Sequence, residues 1–404
     1  MRIKLHVGLH KTATTSIQKS LARNRDLLEE NGWSYPVIKD EVEKAFPNHA
    51  MPFYAAFFET YANRPQLLAR GYEQSWARPL FRDKLAQAIE GKERVLFSGE
   101  GISFFSNEEL ESVKAFFADR SATLEPVCFI RSPFEMATSG LQENIKHGHK
   151  FVLKPVRKFE AIEKLKTSLG ELQTYPFEEA KRHPSGPVGF FIETLGLGDP
   201  ADFKIFRQNE TMSDRATRLI GFVNRLLPIS ANKQLNTARF YDDARPLWEL
   251  PGRKFTFTEA EKNVLSDRVM EENERYLETL GAEYCDNTDE KGPETSDNWS
   301  PEATDFVIKA LPDLNPALWP AVCLYLDLNP QIPTALSEPV LEEVLRLTPD
   351  RAEAVEPGLA FHENALETAP RFLFLATGTR LHQDDVAQAV QRIDARIDAA
   401  CRQA

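Results

Sequence analysis

Residues 6–18, HVGLHKTATTSIQ, place one glycine, one lysine and a run of hydroxyls directly behind a short apolar segment at the N-terminus, RIKLHV. A strand that turns near Gly8 into a helix opening Thr12-Ala13-Thr14-Thr15-Ser16 exposes that helix's unpaired backbone N–H groups, with hydroxyls and the Lys11 ammonium beside them. The ligand such a cradle suits is a phosphate- or sulfate-like anion. It is not a Walker A loop, which needs GxxxxGK[ST], because Gly8 is followed by Leu9, His10 and Lys11. No aspartate stands at a strand end where it would hold Mg²⁺, so ATP or GTP chemistry lacks one of its parts.

Such a loop needs a sheet beneath it, and the first 285 residues alternate accordingly. RIKLHV reads as a strand and TTSIQKSLARNRDLLEENG as a helix, with Ile17, Leu21, Leu27 and Leu28 on one side and Gly32 as its stop. RPLFRDKLAQAIEG is helical, ERVLFSG a strand, NEELESVKAFFADR a helix, EPVCFIR a strand and SPFEMATSGLQENIKHG a helix. DFKIFRQ reads as a further short strand before the helix DRATRLIGFVNRLL. This order predicts an α/β fold: a parallel β-sheet flanked by helices, with ligands at the carboxyl ends of its strands.

The chain's 404 residues and 42% apolar content allow a large domain plus an appendage. Charge marks the boundary: residues 286–404 carry 9 Lys+Arg against 21 Asp+Glu, leaving 40 against 40 for residues 1–285. Between them, DNTDEKGPETSDNWSPE (286–302) has the composition of a linker. The predicted organisation is an α/β domain over 1–285, a linker over 286–302 and an acidic helical region over 303–404. That region reads as amphipathic helices such as ATDFVIKALPDL, PALWPAVCLYLDL, EPVLEEVLRLT and DDVAQAVQRIDARIDAACRQ, without a 34-residue repeat. Its predicted roles are a packing appendage, a homodimer contact or an acceptor-recognition module. Cys128, Cys285, Cys323 and Cys401 have no paired spacing and read as free thiols. No ligand spacing among the histidines points to a metal. Acidic balance without a basic run argues against nucleic acid, and no apolar run spans a membrane, so a cytoplasmic location is expected.

GLHKTATTSIQ resembles the 5′-phosphosulfate loop of the sulfotransferases, above all their bacterial branch, where a strand, then [PH]-K-[TS]-[GA]-T-[TS], leads into a helix. A second family feature is an arginine after a later strand and a serine eight residues on, both holding the 3′-phosphate of the donor. EPVCFIRSPFEMATSG supplies Arg131 and Ser139 at that spacing. The resemblance covers about residues 1–285, including the closing MEENERYLETLGAEY, and implies a P-loop NTPase-like sulfotransferase fold. It implies 3′-phosphoadenosine 5′-phosphosulfate as co-substrate, with His10, Lys11, Thr12, Ala13, Thr14, Thr15 and Ser16 around the phosphosulfate and Lys11 stabilising the leaving oxygen. Ala13 replaces the glycine of many relatives, which asks that this position avoid positive φ.

An acceptor hydroxyl also needs a base. Related enzymes carry it at the end of the strand that ERVLFSGEG matches here, which points to Glu100, flanked by Gly99 and Gly101 with room for a substrate. A desolvated cleft would raise the Glu100 pKa toward working pH. His49, in PNHAMPF, is the competing base. Lys233 and Arg239 lie where relatives fold a loop over the nucleotide, although solvated surface charge is the plainer reading of both. The expected activity is sulfuryl transfer to a hydroxyl of a carbohydrate, glycolipid or small metabolite. An atypical P-loop kinase and a non-catalytic anion- or nucleotide-binding module with an interaction tail remain the alternatives.

Overall fold

A computed structural model describes residues 1–40, 45–155, 157–207, 211–231, 234–287, 290–351 and 359–402. Two compact units account for the chain, each assembled from three separate stretches: Met1–Pro133, Arg157–Asn209 and Glu271–Asp286 in the first, Phe134–Val156, Glu210–Met270 and Asn287–Ala404 in the second.

Strands β1 (Arg2–Gly8), β2 (Arg94–Glu100), β3 (Thr123–Ile130) and β4 (Gln173–Pro176) form the sheet of the first unit. All pairs are parallel and the order is β2-β1-β3-β4. Successive side chains on a strand point to opposite faces, so a sheet covered on both sides is apolar at nearly every position. Ile3, Leu5, Val7, Val95, Phe97, Cys128 and Ile130 enter one core with Leu110, Val113 and Phe117 of the helix Asn107–Ala118. The alternate residues Leu96, Val127 and Phe129 enter another, against Ile17 and Leu21 of helix α1 (Thr14–Arg23) and Phe191 and Ile192.

The fold is thus α/β, with two local departures from the sequence reading. The helix expected over 14–32 is interrupted at Asn24, whose side-chain amide donates to Ser20 O and Lys204 O and whose Oδ1 accepts the Lys204 N–H. That exchange also explains why DFKIFRQ is no strand. Lys204 and Phe206 give their N–H groups to the side chains of Asn24 and Ser20, so residues 203–207 run beside α1 as a loop, and Gln208 lies outside the described residues. The fourth strand is instead QTYP, four residues closed by a proline, too short and too polar to register as a period-two run.

Helix α2 (Pro133–Lys146) belongs to the second unit from Phe134 onward, and helix α3 (Asp214–Leu226) lies at its centre. Residues on every side of α3 are buried, which no single partner surface can achieve. Helix Trp319–Leu328, helix α4 (Leu359–Thr377) and helix Gln383–Cys401 enter the same core, where Phe222 meets the rings of Tyr325 and Phe372 at 5.4 and 5.6 Å. The fully buried polar groups of α3 are engaged. Arg218, fully buried, bonds Asp214 at 3.0 Å and Glu261 at 2.7 Å, and Asn224 donates to Ile145 O.

The boundary predicted near residue 290 therefore does not separate the units. Residues 134–156 and 210–270, expected within the α/β domain, cluster with 287–404 because α3 needs those helices to bury its full circumference. Nor is 286–302 a plain linker. The Asp297 N–H donates to the Asp214 carboxylate at 2.7 Å, Ser296 N–H to Ala376 O at 2.7 Å, and Trp299 is buried. Among the described residues no helix is long and apolar enough to cross a membrane.

Each large apolar side chain uncovered costs about 1.5–3 kcal/mol, against the 5–15 kcal/mol that typically holds a domain together. A chain ended after residue 286 should therefore lose the second unit. In limited proteolysis residues 210–270 should be cut rapidly in the truncated chain and protected in the full one; protection in both would refute this assignment.

Candidate functional site

Register brings the chemistry together. In the β1–β2 pair Gly8 stands opposite Glu100, and β3 ends at Ile130, so the loop 9–13, Glu100 and Arg131 leave adjacent strands at their carboxyl ends. Gly8 is required there: a Cβ would lie 2.5 Å from Thr14 Cγ2, closing the space through which α1 returns to the strand end.

The loop is strained. Lys11 has φ 70° and Ala13 φ 57°, ψ 22°, both left-handed conformations that cost a non-glycine residue about 1–2 kcal/mol. The expectation that Ala13 would avoid positive φ is overturned; this position has the backbone that glycine tolerates best. Thr12 is buried and donates its hydroxyl to Leu9 O at 2.6 Å, closing the loop from inside. Thr14 is buried and donates to Glu100 Oε2 at 2.7 Å. Thr15 and Ser16 are half-buried on the first turn of α1, which no side chain caps. The strain at Lys11 and Ala13, the uncapped helix start and the Lys11 ammonium thus lie together at the end of β1, an arrangement that favours negative charge.

Glu100 Oε1 lies 2.7 Å from His10 Nδ1. Burial pushes the Glu100 carboxyl up, but the His10 hydrogen bond and charge, the Thr14 hydroxyl and the Lys11 charge outweigh it and hold the group below its ordinary range. This reverses the expected upward shift and fixes Glu100 as an acceptor-only carboxylate. Nδ1 of His10 consequently carries the proton. Its Nε2 is shielded from solvent and has no hydrogen-bond partner, and the ring lies 5.0 Å from that of Phe104. Gly99 and Gly101 do not hold a substrate space open. A Cβ on Gly101, at φ 92°, would meet the Tyr54 hydroxyl at 1.8 Å, and one on Gly99 would meet Ile102 at 2.5 Å.

Arg131 donates from Nη1 to Lys11 O at 3.0 Å, lies 3.7 Å from Glu178 Oε1 and stacks over Phe177 at 5.1 Å. The structure thus brings Arg131 to the strained loop. Ser139 is half-buried on α2, in the second unit, outside the set that the first unit gathers.

His49 is not a base of this site. It is fully buried; Nδ1 accepts the Ser98 N–H at 3.1 Å and Nε2 donates to Pro36 O at 3.0 Å, so neither nitrogen is open to a substrate. Burial lowers its pKa to about 4. Arg239 is not a surface charge either: it is buried in the second unit against Asp243 at 2.6 Å. Lys233 lies outside the described residues.

Lys158 is the cation that sequence reasoning missed. It precedes the helix Phe159–Leu169, its ammonium lies 5.7 Å from the Phe104 ring, and burial holds it below its ordinary range against the upward pull of Cys128, Glu100 and Glu272. Glu272 Oε1 accepts the N–H groups of Lys158 and Phe159 at 2.6 and 2.7 Å, fixing this turn. Its basic surroundings, KPVRK, carry no motif; only the β3-to-β4 crossover delivers it here.

No protein-family model, no curated protein and no solved structure matches the chain.

Two stability predictions follow from these geometries. Ala13→Gly should raise stability by about 0.5 kcal/mol, the relief of the left-handed alanine less the added unfolded-chain entropy, as read by urea denaturation; destabilisation would mean the loop is not strained there. The second concerns acid. Burial lowers the pKa of His6, like that of His49, to about 4, below its ordinary 6.5, so the unfolded chain binds protons first as pH falls. Their contribution is complete above pH 6.5 and is lost progressively down to about pH 4, ~3 kcal/mol for each histidine. His49→Asn should flatten the stability–pH slope in that window by about one proton; an unchanged slope would refute the assignment.

Proposed function

We propose that the first unit is a sulfotransferase of P-loop NTPase-like fold, moving a sulfuryl group from 3′-phosphoadenosine 5′-phosphosulfate to an acceptor hydroxyl. The observation that carries this reading is the convergence, at three neighbouring strand ends, of the strained Lys11 loop, the Arg131 guanidinium bonded to it, and the His10–Glu100 pair.

The residues fit a donor with two separated anionic groups. The uncapped start of α1, with Thr15 and Ser16, suits the phosphosulfate, and Arg131 supplies a guanidinium for the 3′-phosphate. The part of Ser139 in holding that phosphate rests on the sulfotransferase resemblance alone. Lys11 would stabilise charge on the bridging oxygen as the sulfur–oxygen bond to the 5′-phosphate breaks. His10 would take the acceptor proton at Nε2, provided that acceptor binding shifts the ring and uncovers this shielded, unpartnered nitrogen, while the new oxygen–sulfur bond forms, with Glu100 holding Nδ1–H and the tautomer. This moves the base from Glu100 to His10 and leaves Glu100 as its positioning residue. Phe104, half exposed beside His10, offers an apolar face to the acceptor, which we place among carbohydrates, glycolipids and small metabolites.

Calorimetry without Mg²⁺ tests the donor: 3′-phosphoadenosine 5′-phosphate should bind much more tightly than AMP, and equal affinities would sink the assignment. Transfer itself would be read by mass spectrometry, screening candidate acceptors for gained sulfate with labelled donor. Lys11→Ala should lower turnover by about 10²-fold while changing nucleotide affinity far less. Intact turnover would remove Lys11 from its role.

A further inference from the structure

A second cationic site lies in the second unit, remote in sequence from the loop chemistry. Phe151, Val152, Leu153, Arg225, Val264, Arg371, Phe372 and Leu375 line a cleft of about 240 Å³ with Glu261. Its lining is apolar apart from the two arginines and that glutamate. Glu261 is committed: it is buried, it pairs with Arg218 through both oxygens, at 2.7 and 3.0 Å, and it accepts the Thr258 N–H.

The arginines are not committed in this way. Arg225 comes from α3 and donates Nη1 to Phe151 O at 2.7 Å, but its Nε is buried without a hydrogen-bond partner. Arg371, on α4, is exposed. Among the described residues neither forms an ion pair. Burial and the Arg371 charge hold the Arg225 pKa down, and only Glu367, one turn before Arg371, pulls it back. Two like charges facing one apolar hollow repel each other, and the arrangement is relieved when an anion sits between them. Val152 and Val264, 40% and 49% exposed at the rim, leave apolar surface uncovered beside that charge.

We propose that this cleft binds a short aliphatic carboxylate, its head on Arg225 and Arg371 and its chain against Leu153, Val264, Phe372 and Leu375. At about 30 Å³ for each non-hydrogen atom the hollow takes roughly eight of them, the size of hexanoate. A ligand so small binds with a dissociation constant on the order of 1 mM.

Calorimetry on the full chain with hexanoate, hexanol and inorganic sulfate tests this. Hexanoate should bind saturably, hexanol and sulfate about tenfold or more weakly, and Arg371→Gln should weaken hexanoate about tenfold without altering the thermal unfolding of the free protein. Because Arg371 is exposed, that variant keeps the fold where Arg225→Gln would lose the Phe151 bond. Hexanol binding as well as hexanoate would mean a merely apolar hollow, sulfate binding as well would mean a bare anion site, and either overturns the proposal. So would an absence of saturable hexanoate binding, or hexanoate affinity unchanged in Arg371→Gln.

Discussion

The parallel register that sets Gly8 against Glu100 is the constraint on which the strand-end chemistry depends. A shift of one residue in that pairing would move the carboxylate by about 3.3 Å and turn it to the opposite face of the sheet. It would then reach neither the His10 ring nor the Thr14 hydroxyl. Register is in turn held by the two cores, because a slip would send Val95 and Phe97 into the space of Leu96 and Ser98. Packing on both faces of the sheet is thus what lets two non-glycine strains, at Lys11 and Ala13, persist in a short loop.

The second unit solves a different problem, that of burying polar groups in a helix with no exposed side. For the fully buried groups its answer is saturation. Arg218 sits between two carboxylates, Arg239 between Asp243 and Asn224, and Asn315 closes the second cluster through the Asp243 carboxylate. An ion placed this deep is tolerated only when every partner is supplied, and removing one member leaves an uncompensated charge. These clusters therefore stabilise little on their own, but they restrict which helices can assemble around α3.

Much of the first unit was legible in its sequence. Three of the four strands of the parallel sheet and helices such as Gln74–Ile89 and Asn107–Ala118 followed from apolar periodicity, whereas the helices Ala50–Phe57 and Phe159–Leu169 were not expected; the loop announced itself by a glycine, a lysine and hydroxyls in tight spacing. What was hidden depended on long-range placement. Nothing local to PNHAMPF distinguishes a surface histidine from one locked between Ser98 N–H and Pro36 O. The direction of the Glu100 shift turned on neighbours at positions 10, 11 and 14, which only strand pairing brings within reach. Lys158 entered through a crossover connection, and QTYP lacked the length to show a period. The division into units was misjudged for a related reason: charge and composition describe what a segment exposes, whereas α3 is defined by what it buries.

The interleaving of the two units has a consequence for how the chain is made. Every segment of the first unit has been synthesised once residue 286 is out, whereas the second waits for residues 287–404. At roughly 5–20 residues per second those residues take on the order of 10 s to appear. For that interval α3 has lost none of its hydrophobicity and has gained none of its final neighbours. The nascent chain must carry a sticky helix tethered at both ends to a domain that has already closed, which makes this delay, more than final stability, the step at which chaperone protection would matter most.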